Sequence, residues 1–329
     1  MSSQTMPIPE PELKNLAPPD LSRPYFKSCS LFPFEHSSSG YSLANAWWLA
    51  EASFAAYGDF SDQPSKIDLK HLENIKWSFD AVSAENTQCL CLEGANAIIL
   101  AFRGTRIERF GDPSSLFRRG YINSWQDLVT DFEFLPKNIG DGREVHVGFE
   151  KAVEAVFPHV QARIANLKGK KKIWCTGHSL GAAIATLAAD RLARGDGDNK
   201  YEVQGLYTYG SPRAGNGEFV NTFPVSNTYR FVHHRDIVTT VPPPGFYGHV
   251  GNLRYITAAG EIQEAGKVDR QTLLAHLHES FGFAKELFDI TTKDFNIRDM
   301  GSWPVASQGL ADHAPVYYAN KIWNQLCRH

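Results

Sequence analysis

The run IWCTGHSLGAAIATLAAD, residues 173–190, constrains the fold more than any other stretch of this chain. It begins with the apolar residues Ile173, Trp174 and Cys175, which read as part of a buried strand, and continues from Leu180 as an alanine-rich helix. Gly177 and Gly181 bracket Ser179 at the junction, so strand and helix are joined by a tight turn that packs closely. A serine at such a junction can simply cap the helix. Thr176 or His178 would cap it equally well, so the hydroxyl at 179 calls for a further explanation.

The rest of the chain repeats the alternation of strand and helix. YSLANAWWLAEASFAAYG sets Leu43, Trp47, Ala50, Phe54 and Tyr57 at helical spacing, with Gly58 as the stop. IKWSFDAVSA, TQCLCLEG and AIILAFRGT are β-rich, and GAN between the last two predicts a hairpin. EVHVGF follows a long irregular stretch and leads into a helix with Phe149, Val153, Val156, Val160, Ile164 and Leu167 on one stripe. YEVQGLYTYG, NTYRFVHHRDIVTTVP and LRYITAAGEI supply further strands, with a short helix over NGEFVNTF. This order predicts an α/β fold, a central, mostly parallel mixed sheet flanked by helices. Residues 1–40 read as an irregular lead-in, because Pro7, Pro9, Pro11, Pro18, Pro19 and Pro24 interrupt any long helix. Residues 41–329 read as a single domain.

Composition narrows the function classes. Of the 329 residues, 43% are hydrophobic and 21% charged, the balance of a globular chain with a substantial core. A net charge of −3 argues against a generally basic nucleic-acid binder, and KGKKK (168–172) reads as a solvated turn. No stretch approaches the roughly 20 apolar residues of a membrane span. The proline-rich N-terminus lacks the apolar core of a secretory signal, which predicts a cytoplasmic protein and leaves processed or leaderless export open. Cys89 and Cys91 sit two apart on one strand, a poor geometry for bridging, and Cys175 suits a buried thiol. Cys29 and Cys327 are the one pair worth testing as a disulfide.

A serine hydroxyl attacks poorly unless a base takes its proton. Gly-x-Ser-x-Gly between strand and helix strains the serine backbone and lifts Oγ above the sheet, where a base can reach it. Its partners are then expected in the order acid, histidine, at the ends of later strands. Asp236 leaves the YRFVHHRD strand just before Pro242, Pro243 and Pro244, the place for the acid. His313 stands in a loop before the last helix, the place for the base. His233 and His234 share a strand with the acid and cannot easily reach both partners; a metal site there lacks further ligands. The developing oxyanion needs N–H donors, expected from Leu180, after the nucleophile, and from the Gly104-Thr105 strand exit.

Together these stretches resemble the class 3 lipases, the α/β-hydrolase family that includes the filamentous-fungal triacylglycerol lipases and bacterial and plant relatives. The matching runs are FRGT (102–105), WQDLVTD (125–131), VHVGF (145–149), TGHSLGAA (176–183), YGSPRAGN (209–216), DIVTTVPP (236–243) and DHAPVYY (312–318). The resemblance implies Ser179 as nucleophile, Asp236 as acid, His313 as base, and Thr105 and Leu180 as oxyanion donors. It implies hydrolysis of carboxylic esters of acyl lipids without metal or organic cofactor, acting on a lipid or ester substrate and on no nucleic acid. Phospholipase A1, galactolipase or polyester hydrolase activity would use the same residues. A non-catalytic interaction protein with this fold is the alternative from another class, and loss of a triad member would favour it; none is lost. The chain departs from the compact fungal pattern in a lid-like loop, 106–124, and an insertion, 260–311. The loop carries Phe110, Leu116, Phe117 and Tyr121, which with His178 are expected to meet the substrate; the insertion carries an amphipathic helix with Leu273, Leu277, Phe281, Ala284 and Phe288.

Overall fold

The computed structural model describes residues 5–11, 18–60, 67–104, 135–195, 200–242, 245–267, 309 and 311–328. Thr105, the lid-like loop with Phe110, Leu116, Phe117 and Tyr121, the WQDLVTD run and most of the 260–311 insertion lie outside the described residues. In chain order the main elements are α1 (Leu43–Ala55), β1 (Ser78–Ala84), β2 (Thr87–Glu93), β3 (Ala97–Phe102), β4 (Pro136–Asn138), β5 (Glu144–His146) and α2 (Val147–Ile164). There follow β6 (Lys172–His178), α3 (Leu180–Arg194), β7 (Val203–Tyr209), α4 (Gly217–Asn221), β8 (Thr228–His233), β9 (Asn252–Ile256), β10 (Ile262–Glu264) and α5 (Pro315–Leu326). One eight-stranded sheet runs β1-β2-β3-β6-β7-β8-β9-β10, and β4 pairs with β5 apart from it. The five strands β3, β6, β7, β8 and β9 are mutually parallel, and the flanking β1, β2 and β10 are antiparallel to their neighbours. The architecture is an α/β-hydrolase fold.

Period-two alternation along the buried strands divides the core in two. Ala97, Ile99 and Ala101 of β3 belong to one apolar cluster with α1 and α5, while Ile98, Leu100 and Phe102 join the cluster under α2 and α3. Because both faces are covered, β2, β3 and most of β6 are buried along their length, as parallel sheets require.

The lead-in is irregular, yet it is no appendage. Tyr25 and Phe26 are fully buried in the same cluster as α1 and α5, and Arg23 forms a buried ion pair with Glu51 of α1. Its start is tied to α5: Met6 and Asn324 exchange two hydrogen bonds (2.6 and 2.8 Å), and Asn320 Nδ2 and Tyr317 OH donate to the carbonyls of Pro7 and Pro9. In the EVHVGF run β5 stops at His146, because the His146 imidazole accepts the Gly148 N–H and caps α2 from Val147. The five cysteines are free thiols; Cys29 and Cys327 pack in the same apolar region without bridging.

Candidate active site

The turn between β6 and α3 holds Ser179 at φ 60° and ψ −132°, a conformation that a non-glycine residue keeps only when its surroundings enforce it. The enforcement is visible. The Ser179 N–H donates to the Tyr209 carbonyl at the end of β7 (3.0 Å). A Cβ on Gly177 would lie 2.2 Å from the Gly181 carbonyl oxygen, and one on Gly181 would lie 2.1 Å from the Phe102 carbonyl oxygen. All of these neighbours are backbone, so neither position tolerates a side chain. Leu180 is the first residue of α3, where amide N–H groups have no partner within the helix's own ladder.

Asp236 stands just beyond β8 and His313 just before α5. The structure brings them together: His313 Nδ1 lies 2.8 Å from both carboxylate oxygens of Asp236. The carboxylate is fully buried and fully occupied. It also accepts the Val238 N–H (2.9 Å) and the Tyr318 hydroxyl (2.5 Å). Tyr318 in turn accepts the His233 N–H (3.0 Å), so α5 pins the acid to the end of β8. Burial first, and the Asp236 charge next, push the Tyr318 hydroxyl well above its ordinary pKa, which keeps it a proton donor to the acid. Gly210, at φ 58°, lets the chain after β7 pass this pair: a Cβ there would meet Asp236 Oδ2 at 2.6 Å and the His313 ring at 2.8 Å.

His178, expected from the sequence to meet the substrate, is buried beneath the Asp236–His313 pair with both ring nitrogens engaged inside the protein. Nδ1 is 2.8 Å from the Tyr57 hydroxyl, Nε2 is 2.6 Å from the His313 carbonyl, and the two imidazoles lie 4.4 Å apart. Burial, then the neighbouring His313, holds its pKa far below the usual imidazole range. Gly104, last before Thr105, packs against this group: a Cβ on it would meet the Tyr57 hydroxyl at 2.1 Å. His233 and His234 do not reach the acid. His233 Nδ1 lies 2.7 Å from the Asp312 carbonyl, and His234 Nδ1 lies 2.8 Å from the Asp312 carboxylate. Among the described residues no group of three or more histidine, cysteine or carboxylate side chains is arranged to hold a metal ion.

Sequence reasoning passed over Tyr57, Tyr318 and Lys321. The first closes a helical apolar stripe and the others sit in α5, so their spacing signals core.

Comparisons with known proteins converge on one family. The lipase (class 3) family model matches residues 115–246, the span that contains Ser179 and Asp236. Over those residues this chain is similar to the class 3 lipases. The secreted mono- and diacylglycerol lipase 1 of Fusarium solani is 41% identical over 139 residues, 40% of this chain and 40% of that protein. The chain thus spans less than half the length of the curated lipases it matches. The crystal structure of an MDLA mutant from Penicillium cyclopium superposes with a TM-score of 0.50 at 25% identity, covering 68% of this chain and 85% of that one. A triacylglycerol lipase described as having a serine protease triad at its catalytic centre shares the fold, with 24% identity, a TM-score of 0.50, and coverage of 67% and 82%. The family model stops at residue 246, before His313, Tyr318 and Lys321.

Proposed function

We propose that this chain hydrolyses carboxylic esters of acyl lipids through an acyl-enzyme on Ser179. The observation that carries the reading is the Asp236–His313 pair at 2.8 Å, with a serine held in a strained strand-to-helix turn next to His178, whose ring meets the His313 carbonyl. Asp236 accepts from Nδ1, which fixes the imidazole so that Nε2 serves Ser179. Ser179 Oγ attacks the ester carbonyl carbon as Nε2 takes its proton. The carbonyl π electrons move to oxygen, and the Leu180 N–H, with that of Thr105, stabilises the oxyanion. The intermediate collapses, the C–O bond breaks, and Nε2–H protonates the departing alcohol. Water then attacks the acyl-enzyme by the same steps and releases the fatty acid.

Ser179 is 2% exposed, so an ester needs an opening to reach it. The Fusarium relative is named for mono- and diacylglycerols, which makes partial glycerides the first substrates to test. The experiment is a panel of mono-, di- and triacylglycerol, phospholipid and short nitrophenyl esters, run with labelling by a fluorophosphonate. Label on Ser179 and turnover of a glyceride are expected. Label on another serine, or turnover undiminished in Ser179→Ala, would overturn the mechanism.

A further inference from the structure

Three histidines beside the pair described above take no part in the proton transfer, yet all three converge on two consecutive residues. His233 meets the Asp312 carbonyl (2.7 Å), His234 meets the Asp312 carboxylate (2.8 Å), and His178 meets the His313 carbonyl (2.6 Å). A carbonyl oxygen can only accept, so the ring nitrogen facing it must carry a proton. That places hydrogen on Nε2 of His178 and on Nδ1 of His233, which are opposite tautomers. Each neutral ring then has one remaining nitrogen, and that nitrogen must accept. Behind each stands a donor. The Tyr57 hydroxyl is 2.8 Å from His178 Nδ1, and Lys321 Nζ is 2.7 Å from His233 Nε2. Tyr57 follows α1 and Lys321 lies on α5, so the two donors come from the helices that share one face of the sheet.

The geometry points to a tautomer-locked clamp: Tyr57 and Lys321 are positioning residues that set the proton on His178 and His233, and these rings fix the Asp312–His313 backbone that carries the base. The inference rests on the reading of His313 as base. Burial supports the neutral state on which it depends. His178 and His233 are about 2% and 1% exposed. Burial, joined by the charge of Lys321, lowers the His233 pKa to about 4, and burial with His313 lowers that of His178 well below its usual value. Lys321 itself is held by a second bond to the Ala258 carbonyl (2.8 Å), which fixes its ammonium against His233. The Tyr57 hydroxyl also packs on Gly104, so one side chain touches the strand exit, the turn before the nucleophile and, through His178, the base.

The test uses the full chain with ¹⁵N-labelled histidine. Two-bond ¹H–¹⁵N correlation at pH 7.5 is expected to show His178 protonated at Nε2 and His233 at Nδ1, both neutral. Tyr57→Phe is expected to mix the tautomers of His178 alone, and Lys321→Met those of His233 alone. Each variant should lower kcat by about tenfold or more with KM within about twofold, since displacing a catalytic group by about 1 Å costs about 10²-fold. His178→Gln, whose amide can still donate to the His313 carbonyl, should retain at least about tenfold more kcat than His178→Leu. Either wild-type ring in the other tautomer, or protonated at both nitrogens, overturns the clamp. So does equal turnover of the Gln and Leu variants; if the Leu variant does not fold, the tautomers and rates of Tyr57→Phe and Lys321→Met decide. Ser179→Ala separates the two readings: an active alanine variant sinks the catalytic assignment and leaves the tautomers as stated.

Discussion

At the scale of single residues, Ser179, Asp236 and Tyr318 differ in what their loss should do. Ser179→Ala removes the proposed attacking atom and is expected to lower kcat by roughly 10⁵–10⁶ with little change in melting temperature, measured on a nitrophenyl ester. Tyr318→Phe keeps the ring and deletes one hydrogen bond to the buried Asp236 carboxylate. A hydrogen bond to a charged group contributes roughly 1.5–3 kcal/mol, so kcat should fall by about tenfold or somewhat more. A Tyr318→Phe enzyme with undiminished kcat would show that Val238 and His313 alone hold the acid. Ser179, Asp236 and His313 could be read from sequence because each stands at the end of a strand or before a helix, with turn residues marking the place. Tyr57 could not be read that way. Periodicity tells which face of α1 is buried, but not that the hydroxyl just past its end meets a ring 121 positions later.

At the scale of elements, the turn between β6 and α3 depends on backbone packed against backbone. Gly181→Ala should therefore destabilise severely, by about 4 kcal/mol or more, because its Cβ meets the Phe102 carbonyl oxygen and the Arg103 carbonyl carbon. Gly217→Ala in α4 is the matched control: nothing lies within 4 Å of its Cβ, and alanine favours the helix. Urea denaturation of the two variants checks the contrast, and equal midpoints would contradict it. The same elements show why the fold was legible in part. Runs such as AIILAF are buried on both faces and match a parallel strand whatever surrounds them. The end of β5 at His146 was not legible, because a side-chain cap decides it against the strand propensity of Val145, Val147 and Phe149. Nor was the burial of the lead-in, since its prolines advertise irregularity while Tyr25 and Phe26 supply the packing.

At the scale of the whole molecule, buried neutral histidines couple folding to acid. The pKa values of His146 and His233 are lowered to about 4, in both cases chiefly by burial, while the unfolded chain protonates its histidines near 6.5. Below pH 6.5 the unfolded state thus binds more protons, so stability is full above that value and is lost as pH falls toward 4. Melting temperature should drop steadily between pH 6.5 and 4, and His233→Asn should flatten the slope; a Tm constant over that window would rule the coupling out. The buried Ser179 makes a second expectation: hydrolysis of a short-chain ester should rise when the substrate passes from monomers to aggregates, and a smooth hyperbola through the solubility limit would count against it. The hydrogen bonds between Met6 and Asn324 join positions 318 apart. The clasp can close only once α5 has been made. Until α5 emerges, Trp47 lacks Trp323, its ring neighbour at 4.7 Å, and His313 has no place to stand. A chain that stopped before α5 would therefore leave the aromatic face of α1 uncovered and place no imidazole beside Asp236.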